Sequence, residues 1–145
     1  MKKIFVVNGP NLDMLGKREP QIYGKTTLAD IKKICEEAAK AKGYELVFSQ
    51  YNGEGEIIDE LHRAYTDAAA VVLNAGAYTH YSYAIADAVK MLPCPTVELH
   101  ISNVFARESF RHESVLSPYC TALIAGLGAN GYAHAVTAAI ELIRD

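Results

Sequence analysis

Glu98 and His100 stand two residues apart in the run TVELH. On a strand that spacing points both side chains to one face. A carboxylate beside an imidazole orients the ring and favours its protonated form, which makes a proton donor near neutral pH. The same spacing also suits a structural ion pair at a strand end. A second reactive candidate is Tyr23, in GKREPQIYGKTT with Arg18 and Lys25 nearby. A phenol titrates near ~10, so keeping it as a base at neutral pH takes about 4 kcal/mol of preferential stabilisation. Close guanidinium contact supplies stabilisation of that kind. Taken alone, the segment reads more readily as a surface loop with an anchoring tyrosine, and Gly16 and Gly24 bracket it as candidate lid hinges.

These residues need elements to position them. KIFVV (Lys3–Val7) is a continuous apolar run, as in a strand buried on both faces. Thr26 or Thr27 caps a helix running to about Lys42, with Leu28, Ile31, Ile34, Cys35 and Ala38 on one face and Gly43 ending it. Strands follow at Tyr44–Gln50, Ala70–Leu73, Thr96–His100 and Ala122–Ala125. Helices are expected from Glu56 to about Tyr65, over Ser82–Met91 and over Ala133–Ile143. Strands alternating with helices imply a parallel sheet covered on both faces. Five strands in a single domain over residues 1–145 suit a flavodoxin-like, doubly wound α/β fold of order 2-1-3-4-5. The stretch from Ile101 to about Tyr119 reads as one long polar loop, and a loop that long in a compact domain is usually functional.

In open α/β sheets ligands bind outside the carboxyl ends of the strands. The chemically capable residues fall at those ends. Asn8, Asn11, Arg18 and Tyr23 follow the first strand, and Gln50 and Asn52 the second. Asn74 and His80 follow the third, while Glu98, His100, Ser102, Arg107 and Arg111 end or follow the fourth. A loop asparagine is commonly a turn-former and a loop arginine commonly solvated. Their convergence on one edge points to a site.

Other chemistries are excluded. Gly126, Gly128 and Gly131 spell GxGxxG, but the chain ends before the acidic residue a dinucleotide site wants. Those glycines suit close strand–helix packing or an oligomer contact. GPNLDML lacks a hydroxyl-rich phosphate cradle for FMN, and Asn74 stands where a response regulator would need an aspartate. His62, His80, His100, His112 and His134 form no HxH or HExxH set, and Arg111-His112-Glu113 reads as a polar loop run, so no metal is expected. The net charge of −3 gives no reason to expect nucleic acid or an anionic membrane. No apolar run reaches the ~18 residues of a membrane span, and the lysine-led N-terminus has too short an apolar stretch for a signal peptide. Cys35, Cys94 and Cys120 are scattered and odd in number, as in core residues of a cytosolic protein.

The chain resembles the type II 3-dehydroquinate dehydratases of the shikimate and quinate pathways. The resemblance spans essentially all of it, through NGPNLDMLGKREPQIYG (8–24), QYNGEGEIID (50–59), NAGAYTHYSYAIADA (74–88), VELHISNVFARESFRHES (97–114) and GLGANGY (126–132). It implies loss of water from 3-dehydroquinate to give 3-dehydroshikimate by anti elimination through an enolate, without metal, organic cofactor or Schiff base. Tyr23 matches the catalytic base and Arg18 the cation holding it as tyrosinate. His100 matches the general acid, Glu98 its orienting carboxylate, and Asn11 the residue placing a water against the enolate oxygen. Asn74, Ser102 and the backbone of Ile101 match the substrate-carboxylate site, and His80 and Arg111 match the ligands of ring hydroxyls. Asp87 matches an acidic residue supplied across a subunit interface, in a family that forms dodecamers built from trimers.

Several positions depart from the family pattern: Asp13, Gly53, Ala75, Tyr81, Phe105 and Glu113. None is a proposed catalytic residue, although Asp13 and Glu113, if inward-facing, would weaken binding of an anion. Two rival readings remain open to the residues themselves. One is a lyase or hydratase acting on a related hydroxy acid, which a substrate panel separates. The other is a flavodoxin-like binding module, which would barely notice Tyr23→Phe.

Overall fold

The continuous apolar run near the N-terminus forms β1 (Lys3–Asn8). Ile4 and Val6 face one side of it, Phe5 and Val7 the other, and all four are buried. The computed structural model describes residues 2–17 and 20–144, and at 22 and 23 the backbone alone. After β1 comes a short helix α1 (Pro20–Tyr23), then α2 (Leu28–Ala41). Thr27 is the cap of α2. Its hydroxyl accepts the Asp30 N–H at 3.2 Å, while the Asp30 carboxylate accepts the Thr27 N–H at 3.0 Å. Those reciprocal bonds satisfy two of the donors a helix start leaves unpaired. Gly43, at φ +79°, provides the left-handed turn after the helix.

The chain continues through β2 (Glu45–Gln50), α3 (Glu54–Asp67), β3 (Ala68–Asn74) and α4 (Tyr83–Met91). It ends with β4 (Thr96–His100), β5 (Ala122–Ala125) and α5 (Gly131–Glu141). The sheet is wholly parallel, in the order β2-β1-β3-β4-β5 expected from the sequence. One face packs Ile4, Val6, Val72, Val97 and Leu99 against α2 and α5. The other packs Phe5, Val7, Val71 and Leu73 against α3 and α4.

The corrections to the sequence reading lie at element ends and in the stretch between β4 and β5. The third helix starts earlier than Glu56 because the Glu56 carboxylate accepts the Gly53 N–H at 3.2 Å, fixing the helix start there. β3 starts at Ala68 rather than Ala70, directly after α3, where small alanines carry no turn signal. The last helix spans 131–141 rather than 133–143, since Gly131 already adopts helical geometry. The stretch from 101 to 119 is not one irregular loop. It folds into tight 3₁₀ turns at Val104–Ala106, Ser109–Arg111 and Ser117–Tyr119, and it buries Leu116 against the α3/α4 layer. Turns of three residues give no periodicity for a sequence to display.

Candidate active site

β1 and β3 run side by side with Asn8 opposite Asn74, and β4 lies next to β3. The chain leaves this region toward β2 on one side and β4 on the other, so the crevice lies at the topological switch point. It is lined by Asn11, Asn74, His80, His100, Ile101, Ser102, Arg107 and Arg111, with Leu12, Leu15 and Val104 as its apolar wall.

Glu98 and His100 share a face of β4, as their spacing requires, and His100 Nε2 bonds Glu98 Oε2 at 2.6 Å. Glu98 is 1% exposed, so an uncompensated charge there would be costly. Ser114 Oγ donates to Glu98 Oε1 at 3.0 Å and Ser117 Oγ donates to the same oxygen. Burial pushes the Glu98 carboxyl up, but the bonds from His100, Ser117 and Ser114 outweigh it and hold the group below its usual range. The carboxylate fixes Nε2 as the ring nitrogen turned toward Glu98.

His80 stacks near His100, with ring centroids 6.2 Å apart and planes at 18°. Its Nδ1 lies 2.7 Å from the Glu113 carbonyl. A carbonyl only accepts, so Nδ1 carries the hydrogen and a neutral ring presents Nε2 as acceptor. Burial lowers the His80 pKa, and the nearby His100 and Arg111 lower it further against the raising effect of Glu113 and Glu98. Two guanidinium groups complete the anion-favouring side. Arg107 donates to Ser102 Oγ at 3.2 Å, and Arg111 donates to Glu108 at 3.0 Å.

Asn11 has a left-handed backbone at φ 69°, a conformation that asparagine tolerates better than most residues. The Asn11 N–H donates to Asn52 Oδ1 at 3.0 Å, and Gln50 Nε2 holds that oxygen at 3.0 Å and the Gly9 carbonyl at 3.1 Å. Gln50 and Asn52 therefore brace the Asn11 loop and do not line the crevice. Asn8 is likewise internal: it is fully buried and bonds Ser49 and Tyr132.

The remaining candidates are placed as follows. Arg18 lies outside the described residues. Tyr23 ends α1, and its side chain lies outside them too. Asp87 is exposed on α4 and does not line the crevice of its own chain. Asp13 is exposed, and Glu113 meets the site through its backbone carbonyl. Gly131 packs α5 closely on β4, since a Cβ there would meet Leu99 Cδ1 at 3.4 Å. The packing reading holds for Gly131 alone: Gly126 and Gly128 take left-handed backbone at φ 89° and 68°, and a Cβ on Gly128 would meet nothing within 4 Å.

Three contributors carry no mark in the sequence, and a fourth was named there without a role. Ser114 and Ser117 clamp Glu98, Arg107 enters the crevice without having been given a role, and Tyr132 joins Asn8 to Asn74 from below. Arg107 was visible as a strand-end cation. The other three carry no signal, because their partners lie 16 to 124 residues away in sequence.

Residues 2–140 match the family described as Dehydroquinase class II. The chain is 51% identical over 144 residues to the 3-dehydroquinate dehydratase of Caldicellulosiruptor bescii, covering 99% of each chain. It is 53% identical over 133 residues to that of Dinoroseobacter shibae, covering 92% of this chain and 89% of the relative. The crystal structure of type II dehydroquinase from Butyrivibrio crossotus superposes with a TM-score of 0.93 at 45% identity, covering 96% of this chain and 97% of that one.

Proposed function

The chain belongs to the class II dehydroquinase family, and from that premise we infer that it is a hydro-lyase converting 3-dehydroquinate to 3-dehydroshikimate in the shikimate pathway. One observation carries the reading most directly. A buried Glu98–His100 pair at 2.6 Å opens onto a crevice lined by amide, hydroxyl, imidazole and guanidinium groups. That set suits a small hydroxylated anion, and an anti elimination beside a ketone needs a base, an acid and an enolate stabiliser.

In this reading Tyr23, as tyrosinate held by Arg18, removes the proton from the ring carbon beside the ketone. The electron pair moves into the carbonyl, giving an enolate. Asn11 places a water against the enolate oxygen. The enolate then expels the hydroxyl, which takes a proton from His100 as it leaves. Glu98 keeps the ring oriented and balances its charge while it is protonated. Asn74, Ser102 and the Ile101 backbone hold the substrate carboxylate, and His80 and Arg111 hold ring hydroxyls. The reaction uses no metal, organic cofactor or Schiff base. Asp87 reaches the site of a neighbouring subunit in a dodecamer built from four trimers, and the enzyme works in the cytoplasm, without nucleic acid or membrane partners.

The test follows the ultraviolet absorbance of the conjugated enone when protein meets 3-dehydroquinate in excess chelator. Absorbance should rise with the native chain. With Tyr23→Phe, the rate should fall by at least about 10²-fold, as expected for loss of an acid–base group. A folded native chain that gives no rise would overturn the reading, and a rise undiminished in Tyr23→Phe would remove that residue from its role.

A further inference from the structure

Asn74 can hold a carboxylate only through its N–H group, so the direction its amide faces decides whether it attracts or repels the substrate. Two backbone groups set that direction from opposite ends. The Ser49 carbonyl only accepts, so Asn8 presents Nδ2 to it at 3.0 Å. That turns Asn8 Oδ1 toward the Tyr132 hydroxyl, 2.6 Å away. This oxygen also only accepts, which commits the phenol proton to it. The phenol oxygen is then left as the acceptor for Asn74 Nδ2, at 2.9 Å. At the far end the Gly76 N–H, which only donates, bonds Asn74 Oδ1 at 3.2 Å.

Reversing the Asn74 amide would set its NH₂ against the Gly76 N–H. It would also set its oxygen against a phenol with no proton to give. Tyr132 and Asn8 are fully buried and Asn74 is 4% exposed, so water is not at hand to repair either fault. The phenol uses one N–H of Asn74, and the other remains for the crevice that Asn74 lines.

We propose that Tyr132 is a positioning residue for substrate binding: its phenol, oriented by Asn8, holds the Asn74 amide with its second N–H directed at the substrate carboxylate. This rests on the reading of Asn74 as a carboxylate ligand. Tyr132 touches no reacting atom, so its effect belongs in KM for 3-dehydroquinate rather than in kcat.

Steady-state kinetics on Tyr132→Phe, Asn74→Ala and the double variant test the proposal. Tyr132→Phe should raise KM roughly tenfold with kcat within about threefold. In the Asn74→Ala background the same change should add nothing further to KM, because its route to the substrate is gone. A folded Tyr132→Phe with native KM, or KM effects that multiply in the double variant, overturns the proposal. A purely structural tyrosine would lower Tm and leave KM alone, which also overturns it. Native KM in Asn74→Ala means the carboxylate reading has failed and the proposal with it, an outcome that variant identifies by leaving the phenol intact. Should Tyr132→Phe not fold, Asn8→Ala replaces it. Without its acceptor the phenol proton is free to turn toward a reversed Asn74, so KM should rise there too, and an unchanged KM overturns the proposal.

Discussion

At Glu98 the local chemistry is a contest between burial and hydrogen bonding. A carboxylate 1% exposed is disfavoured by desolvation, yet His100, Ser117 and Ser114 together pull its pKa below the usual 4.5. The sign follows from linkage. The folded pKa is depressed, so the stabilisation is fully present above the unfolded value and is lost as pH falls through the folded one. Wild type and Glu98→Gln should therefore differ by a constant Tm above about pH 5.5, by comparison with an ordinary carboxyl. Below pH 4.5 wild type should lose Tm relative to the variant, as melting curves across that range will read out. At neutral pH the same variant should lose turnover by roughly 10²-fold or more, since the ring it orients is the proposed acid. His80 contributes with the same sign over a higher window. Its depressed pKa means that stability falls as pH drops from 6.5 through the folded value, a slope that His80→Asn should remove in the same melting experiment.

At the scale of elements, the crevice depends on β1 and the turn after β3 coming close together. The Gly9 N–H donates to the Asn74 carbonyl at 2.7 Å, and a Cβ on Gly9 would stand 2.5 Å from the Ala75 oxygen. That contact is with backbone, so it cannot be relieved by a side chain swinging aside. Gly9→Ala should destabilise the fold by at least about 1–3 kcal/mol, the cost of overpacking a tight site. Any folded fraction should bind 3-dehydroquinate poorly because the turn carrying Asn74 is displaced. Urea denaturation together with KM will check both parts. The helix that follows the Tyr23 segment gives a milder case. Thr27→Ala removes the capping box of α2 and should cost about 1 kcal/mol by the same denaturation measurement, with most activity retained.

For the whole molecule, the exposed apolar residues matter most. Tyr81, Tyr83, Phe105 and Phe110 are each more than half exposed, together with Leu127 and Met91. Single exposed hydrophobes are ordinary, but Phe105 and Phe110 lie beside the crevice residues His80 and Arg111, where large exposed aromatics suit a covered face. Asp87 lies on the same helix as Tyr83, exposed and outside its own chain's crevice. If a neighbouring subunit supplies it, light scattering should give a dodecamer. Asp87→Asn should then lower activity without altering the Glu98-dependent melting profile. A fully active monomer would sink that reading. No helix among the described residues is long and apolar enough to cross a membrane.

The sequence carried the sheet order and the site's edge because both follow from short-range signals. Apolar runs mark buried strands, helical periodicity marks the crossovers, and polar residues cluster just past the strand ends. The Glu98–His100 pair was legible for the same reason, since alternation along a strand puts residues two apart on one face. Element ends were less legible: Gly131 in a helix and Ala68 in a strand contradict local propensity and are held there by packing. What only the tertiary structure decided were the contacts between distant positions. The serine clamp on Glu98 spans 16 and 19 residues, and the Tyr132 bridge spans 58 to Asn74 and 124 to Asn8. Spacing in a sequence encodes direction only within one element. The meeting of two elements depends on the summed packing of both, and no local pattern records it.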